Sequence, residues 1–563
     1  MMCFLLAFGV SAIFLNCCNS HQLQPRKADL LLLNAAVITL DPRQPSAEAV
    51  AVSDGRIAWV GSVAEAKRIF PKPSKTLDLT GAVILPGMID AHTHLMRLGE
   101  SFLKLNLKDV NSETEVVEQV CRRAAVIPPG EWILGWGWDE GKWASHYPTN
   151  KALNQVAPKN PVFLTGLHGF AAWVNQAALA IAGVDRQTKD PTGGAILHDE
   201  KTGDLTGILT NSAQELVARH VPPLSLPQVK DALALAAAEC VRNGLTSVHE
   251  AGVTPVMLQA LRELIREGKM PLRVYVMLDA VYKDLVAEWL AKGPEIDTKQ
   301  HQLTVRCFKI FADGALGSRG AVLLEPYSDA PQTTGVITSS GPAIEDLTQR
   351  ALERGFQVAT HAIGDAANRF VLDAYEHAMS QVPQAKYPRL RVEHAQVLAL
   401  ADLPRFVKLG VVVSMQPAHA TSDMPWAEQR LGSQRIKGAY AWRSVISTGA
   451  HVTLNSDFPG ETLNPFAEIY AAVTRQDPQG NPAGGWYPQQ RLTITEALRG
   501  YTLEAAYAGF EEQVKGTIAA GKLADLTVIS KDITQVLPAE LLSVRVLKTI
   551  VGGRIVYSTG KAE

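Results

Sequence analysis

Two rhythms of apolar and polar positions share this chain. From Ala28 to about Leu85, short alternating runs ("ADLLLLNAAVITL", "AVAVSDGRIAWVG", "KTLDLTGAVILPG") are separated by turn residues, with Asp54-Gly55 as a hairpin signal. The idiom returns near the other end in "GKLADLTVIS" and "VLKTIVGGRIVY". Alternation places one face of each strand in a core. Its presence at both ends therefore predicts one small β-sandwich domain assembled from residues 28–85 and 515–560.

Between these ends the pattern changes to short, almost wholly apolar runs, each followed by a stretch whose apolar positions recur at three and four. That is the strand-then-helix rhythm of a parallel sheet. The strand candidates are "AVILPGMIDAHTH", "LTSVHEA", "LRVYVMLDA", "VRCFKIFADG", "QVATHAIGD", "LRVEHAQVL", "VVVSMQPAH" and "HVTLNSDFPG". Eight such units predict an α/β fold, a (β/α)8 TIM barrel over residues 86–514. The gap between the first two candidates is far too long for one crossover helix. Residues 100–225 are accordingly read as an inserted subdomain capping the barrel, and its tryptophans (Trp132, Trp136, Trp138, Trp143, Trp173) suggest an apolar lid.

Composition changes the picture mainly by exclusion. With 54 Lys+Arg against 56 Asp+Glu, the 563-residue chain has no basic footprint for nucleic acid. A small-molecule partner is expected, and self-association is left open. The first eighteen residues carry no charge and include Cys3, Cys17 and Cys18. Residues 1–20 read as a signal peptide or lipoprotein signal. The expected location is outside the cytoplasm, periplasmic or extracellular, with lipid anchoring through Cys18 or membrane attachment of this segment as variants. The remaining cysteines, Cys121, Cys240 and Cys307, are too scattered for a disulfide framework or a zinc finger.

The candidate chemistry lies at the strand ends, where barrel active sites form. His92 and His94 are two residues apart, so on a strand both imidazoles point one way. Lys309 in "FKIFADG", His361 in "ATHAIGD", His394 in "VEHAQ" and Asp457 in "NSDFPG" stand at matching places in later units. Neutral imidazole and carboxylate suit a divalent metal such as zinc. An ammonium cannot ligate, so Lys309 contributes as the neutral amine or as a carbamate, unless it pairs with a carboxylate such as Asp313.

Together with "HGFAAWVNQAAL" and "FKIFADGALGSR", these motifs resemble the metal-dependent amidohydrolase superfamily, in its amidohydrolase-3 or N-substituted formamide deformylase-like branch. The resemblance implies two divalent metal ions. His92, His94 and Asp457 would hold one, His361 and His394 the other, and carboxylated Lys309 would bridge them. It implies hydrolysis of a non-peptide C–N bond in an amide, N-formyl or N-acyl amine. A metal-activated hydroxide would attack, and Asp457 would take the proton and pass it to the leaving amine. His168, His249, Gly314 and Arg319 are candidate substrate contacts. Each has a plainer reading: packing for His168, a core histidine for His249, a surface ion pair for Arg319. The alternatives are a mononuclear deaminase or lactonase on the same barrel, or a regulatory or binding protein that retains the fold.

Overall fold

The structure, a computed structural model, describes residues 26–108, 110–139, 147–167 and 170–560. Its centre is a run of eight parallel strands: β1 (Met88–Thr93), β2 (Leu245–Val253), β3 (Arg273–Asp279), β4 (Leu303–Phe311), β5 (Gln357–Ala362), β6 (Arg391–His394), β7 (Val412–Met415) and β8 (Val452–Leu454). Six fall inside the apolar segments read from the sequence, while β2 runs two residues past the end of its segment and β4 begins two residues before its own. Seven strand pairs join β1 to β8 in chain order. The ends of the run meet just past the short β8. The Ser456 hydroxyl donates to Asp90 on β1 at 2.6 Å, and Asp457 N–H donates to the His92 carbonyl at 3.1 Å. The parallel-strand barrel is thus nearly closed, and its closing contacts lie beside the residues of interest.

The helices follow from sequence. Helix α2 (Leu226–Arg242) buries Val229, Ala232, Leu233, Ala236, Ala237 and Cys240, a three-and-four spacing, and starts at a capping box between Ser225 and Gln228. Helix α1 (Leu95–Leu103) lies against it at Gly99, where a Cβ would stand 2.1 Å from the Ala232 carbonyl oxygen. Only glycine permits this approach, so the rotation of α1 about its axis is set.

Between α1 and α2 the insertion forms a six-stranded sheet of its own, ordered Gly194–His198, Leu205–Asn211, Ala171–Val174, Val162–Gly166, Ile133–Trp138, Leu105–Asn106. Trp138 and Trp173 are fully buried in its core, in edge contact at 6.4 Å, so these two pack the subdomain itself. The terminal segments build two further sheets, and Leu30, Leu32, Val50, Ile84, Leu526 and Val528 share one apolar cluster across them. The predicted hairpin occurs, with Asp54 at φ 51° and Gly55 at φ 72° between Ala49–Ser53 and Arg56–Gly61. A buried ion pair, Arg273 Nε to Asp525 Oδ2 at 2.6 Å, ties the C-terminal segment to β3. Among the described residues, no helix is long and apolar enough to cross a membrane.

Candidate metal centre

The C-terminal strand ends bring the six predicted residues to one cavity or its floor. His92 and His94 arrive from β1, Lys309 from β4, His361 from β5, His394 from β6, and Asp457 from the turn after β8. One Asp457 oxygen lies 3.1 Å from His94 Nε2 and 3.6 Å from His92 Nε2; the other is 4.0 Å from His394 Nδ1. His92, His94 and Asp457 present ligand-type atoms all within 4.8 Å of one another. The His394 ring is 5.0 Å from that of His92 and 4.5 Å from that of His361. Both His394 (φ 73°) and Asp457 (φ 54°) occupy the left-handed region, a strained backbone held where the side chains must converge.

Hydrogen bonds set the tautomers. His92 Nδ1 faces Glu393 Oε2 at 2.5 Å, His94 Nδ1 faces the Ala251 carbonyl at 3.1 Å, and His394 Nδ1 faces Gln416 Oε1 at 3.0 Å. All three partners accept, so each Nδ1 carries the proton and each Nε2 keeps a lone pair. Burial, followed by the nearby Lys309 charge, lowers the His361 pKa to about 3, so this imidazole too is neutral. Burial alone would raise the Asp457 carboxyl. The adjacent imidazoles, His94 first and then His92 and His394, hold it well below its ordinary range instead.

The chemistry of this donor set fits a metal. Lys309 Nζ, His361 Nε2 and Asp457 Oδ1 are buried with no hydrogen-bond partner. Stranding buried polar atoms is costly unless something else satisfies them, and the Asp313 carboxylate stands 3.5 Å off His361 Nε2. Burial brings the Lys309 pKa down to about 8, toward the neutral amine. Pairing of Lys309 with Asp313 does not occur: Asp313 accepts the backbone N–H groups of Val322, Ile363 and Gly364 at 2.8–2.9 Å.

The four candidate substrate contacts fare differently. Arg319 is engaged bidentately by Asp329, at 3.1 and 2.8 Å, and does not line the cavity, which corrects its assignment as an anion receptor. His249 also corrects to the core reading: fully buried beneath the site, it takes a hydrogen bond from Arg391 at 2.9 Å and packs on Tyr275. Gly314 is off the lining too, its N–H donating to the Gly320 carbonyl at 3.2 Å; the cavity wall is made by Ala315, Leu316 and Gly317. His168 lies outside the described residues.

Sequence reading missed four neighbours of the site. Glu393 orients His92, and Arg391 holds Glu393 through bonds of 2.7 and 3.1 Å. A signal existed, because two opposite charges alternate inside the apolar run "LRVEHAQVL" and so project to one face of a buried strand. His419, at the end of the seventh candidate segment, has Nε2 3.9 Å from Asp457 Oδ2 and lines the cavity. Arg97, one turn into α1, lines it as well.

The sequence model of the Amidohydrolase family matches residues 75–557. The chain is similar to YtcJ of Bacillus subtilis, 36% identical over 521 residues that cover 91% of this chain and 96% of that one. It is 31% identical to the N-substituted formamide deformylase of Arthrobacter pascens over 557 residues, covering 94% and 98%. Among solved structures, a metal-dependent hydrolase from Pyrococcus furiosus superposes with a TM-score of 0.75 at 28% identity, over 90% of this chain and 100% of that chain.

Proposed function

Since the chain belongs to the amidohydrolase family, with metal-dependent hydrolases among its structural neighbours, we propose that it hydrolyses a non-peptide C–N bond in an amide, N-formyl or N-acyl amine. The observation that carries this reading is the set of three orphaned buried atoms, Lys309 Nζ, His361 Nε2 and Asp457 Oδ1, in one site with imidazoles whose Nδ1 protons are taken by Glu393, Ala251 and Gln416. The similarity to the N-substituted formamide deformylase supports the choice of bond.

Two divalent metal ions, zinc in the first instance, are assigned to this donor set: His92, His94 and Asp457 for one, His361 and His394 for the other. Lys309 is assigned as the bridge, its neutral amine having added CO2 to give an anionic carbamate and a released proton. When bound, such ions lower the pKa of water and polarise a carbonyl. The protein's own part is orientation and proton handling. Glu393, Ala251 and Gln416 hold three imidazoles in the ligating tautomer. Asp457, ionised and with one oxygen lacking a hydrogen-bond donor, accepts the proton from the attacking water and returns it to the departing amine nitrogen. The cavity above, about 410 Å3, holds the substrate against Trp426 and Gly317.

Asp457→Asn is the test. It keeps size and one carbonyl oxygen but cannot take up a proton. The variant should retain appreciable metal with a near-normal KM, while kcat falls by about 10²–10⁴. A fully metallated variant with wild-type kcat would place proton transfer elsewhere, with His419 the next residue to replace.

The same reading takes residues 1–20 as an export signal and the two terminal sheets as one β-sandwich. Mass measurement of the mature protein from the outer fractions of a producing cell, with and without Cys18→Ala, decides between simple cleavage and lipidation.

A further inference from the structure

A second cavity, about 450 Å3, lies between α1 and the sheet of the insertion. Its sheet wall is set by strand periodicity. Leu134 and Trp136 are alternate residues of Ile133–Trp138; Phe163 and Thr165 are alternate residues of the adjoining Val162–Gly166. The pairing register is Leu134 to Phe163 and Trp136 to Thr165. All four are half-buried and line the cavity, whereas Ile133 and Trp138 turn into the subdomain core. Leu134 and Trp136 belong to neither core of the sheet, so a half-buried apolar patch is left beside Phe163, whose ring also packs on the cluster of Ala172, Val174 and Leu209.

The opposite wall is Arg97 and Ser101, four apart on one face of α1, with Lys104 at the extended residue that ends it. Gly99 on the far side of the helix, in backbone contact with Ala232, holds that face toward the insertion. Two of the three polar groups are committed. The Ser101 hydroxyl donates to the Leu98 carbonyl at 2.6 Å, and Lys104 stands 3.6 Å from Glu100. Arg97 forms no hydrogen bond or ion pair with any described residue, and it lines both this cavity and the metal-centre cavity. The order outward from the metal centre is thus ligand set, free guanidinium, apolar patch.

Resting on the amide-hydrolase reading and extending it, we propose that Arg97 and the Leu134–Trp136–Phe163 patch form a specificity subsite. It takes amides that carry an anionic group between the scissile bond and an apolar arm. The guanidinium presents a planar fork to a carboxylate, and the arm lies across Trp136 and Phe163. Neutral amides of the same shape leave Arg97 unpaired at the junction.

The test uses N-formylphenylalanine and N-formylphenethylamine, which differ only by one carboxylate. The metal-loaded enzyme is expected to favour the carboxylated amide in kcat/KM by about tenfold to a hundredfold, the range of a charge-assisted hydrogen bond. Arg97→Gln should bring that ratio close to one through KM, Arg97→Lys should restore part of it, and Trp136→Ala should raise KM for both amides. Turnover of both amides at a ratio that Arg97→Gln does not change overturns the subsite and leaves the hydrolase assignment standing. If neither amide is cleaved, the hydrolase reading of these substrates fails, and calorimetry with 3-phenylpropionate decides the subsite by itself. Binding that Arg97→Gln and Trp136→Ala each weaken supports it; binding unaffected by both, or none to the wild type, overturns it.

Discussion

Replacing Glu393 by glutamine removes one charge from a fully buried position and leaves its shape intact. One glutamate oxygen faces His92 Nδ1 at 2.5 Å and Arg391 at 3.1 Å, while the other takes Arg391 Nε at 2.7 Å. Glutamine has one oxygen for these donors, so its NH2 must confront either the guanidinium or the His92 N–H. If His92 yields, its proton moves to Nε2 and the lone pair aimed at the metal is lost. Loss of such a partner costs about 10–100-fold in metal affinity, or about 1.4–2.7 kcal/mol. Arg391, itself fully buried, also loses its counter-charge, and breaking a buried pair costs about 3–5 kcal/mol of stability. Its remaining bonds to the Ala91 carbonyl and His249 place this variant at the lower end of that range.

Two measurements separate these effects: metal affinity by competition with a chromophoric chelator, and denaturant unfolding of the metal-free protein. Glu393→Gln combined with Arg391→Met should regain most of the lost stability, because no uncompensated cation remains, yet it should bind metal as weakly as the single variant. A folded Glu393→Gln protein with unaltered metal affinity would refute the claim that Glu393 sets the tautomer of His92.

Lys309→Ala should lose about one of two metal equivalents and most activity, with partial rescue by a short-chain carboxylic acid such as propionate; elemental analysis showing two equivalents at normal turnover would make the lysine structural. Asp525→Asn should destabilise the fold by about 3–5 kcal/mol at neutral pH, read from the urea midpoint, by stranding the buried Arg273. Burial alone would raise the Asp525 carboxyl, but Arg273 and the Gly552 N–H hold it below its ordinary 3.8. A depressed acid contributes stability above the ordinary value and loses it as pH falls through the folded value. The gap between wild type and Asp525→Asn should therefore be constant above about pH 5 and close on acidification below about pH 4; a gap that widens would reverse the assignment. Gly99→Ala places a Cβ against the Ala232 backbone, which cannot yield as a side chain can, and should cost about 1–3 kcal/mol or more. A variant melting with the wild type would mean that α1 sits less tightly on α2 than described.

Much of the architecture was legible because it is local. A parallel strand buried on both faces must be an apolar run, and a crossover helix must repeat at three and four; eight such units announced the barrel before any contact was known. The convergence of the six candidate residues was legible for the same reason. Depth along a strand is counted from its apolar start, so residues at matching places in "DAHTH", "KIFADG", "ATHAIGD", "VEHAQ" and "NSDFPG" arrive at one end of the ring.

What tertiary structure alone decided is which group meets which. Glu393 serves a histidine 301 positions away, and Arg391 contacts the Ala91 carbonyl 300 positions away; no period within a segment encodes such pairings. Two of the candidate substrate contacts lie elsewhere for the complementary reason. Arg319 satisfied its charge with Asp329 ten residues on, and His249 turned to Arg391, whereas Arg97, which carries no motif, has no ion-pair partner among the described residues and lines two cavities. Periodicity settles the face and the depth of a side chain, because both follow from backbone geometry. Its partner is settled only when distant segments compete to satisfy buried charge, and that competition takes place in the folded chain.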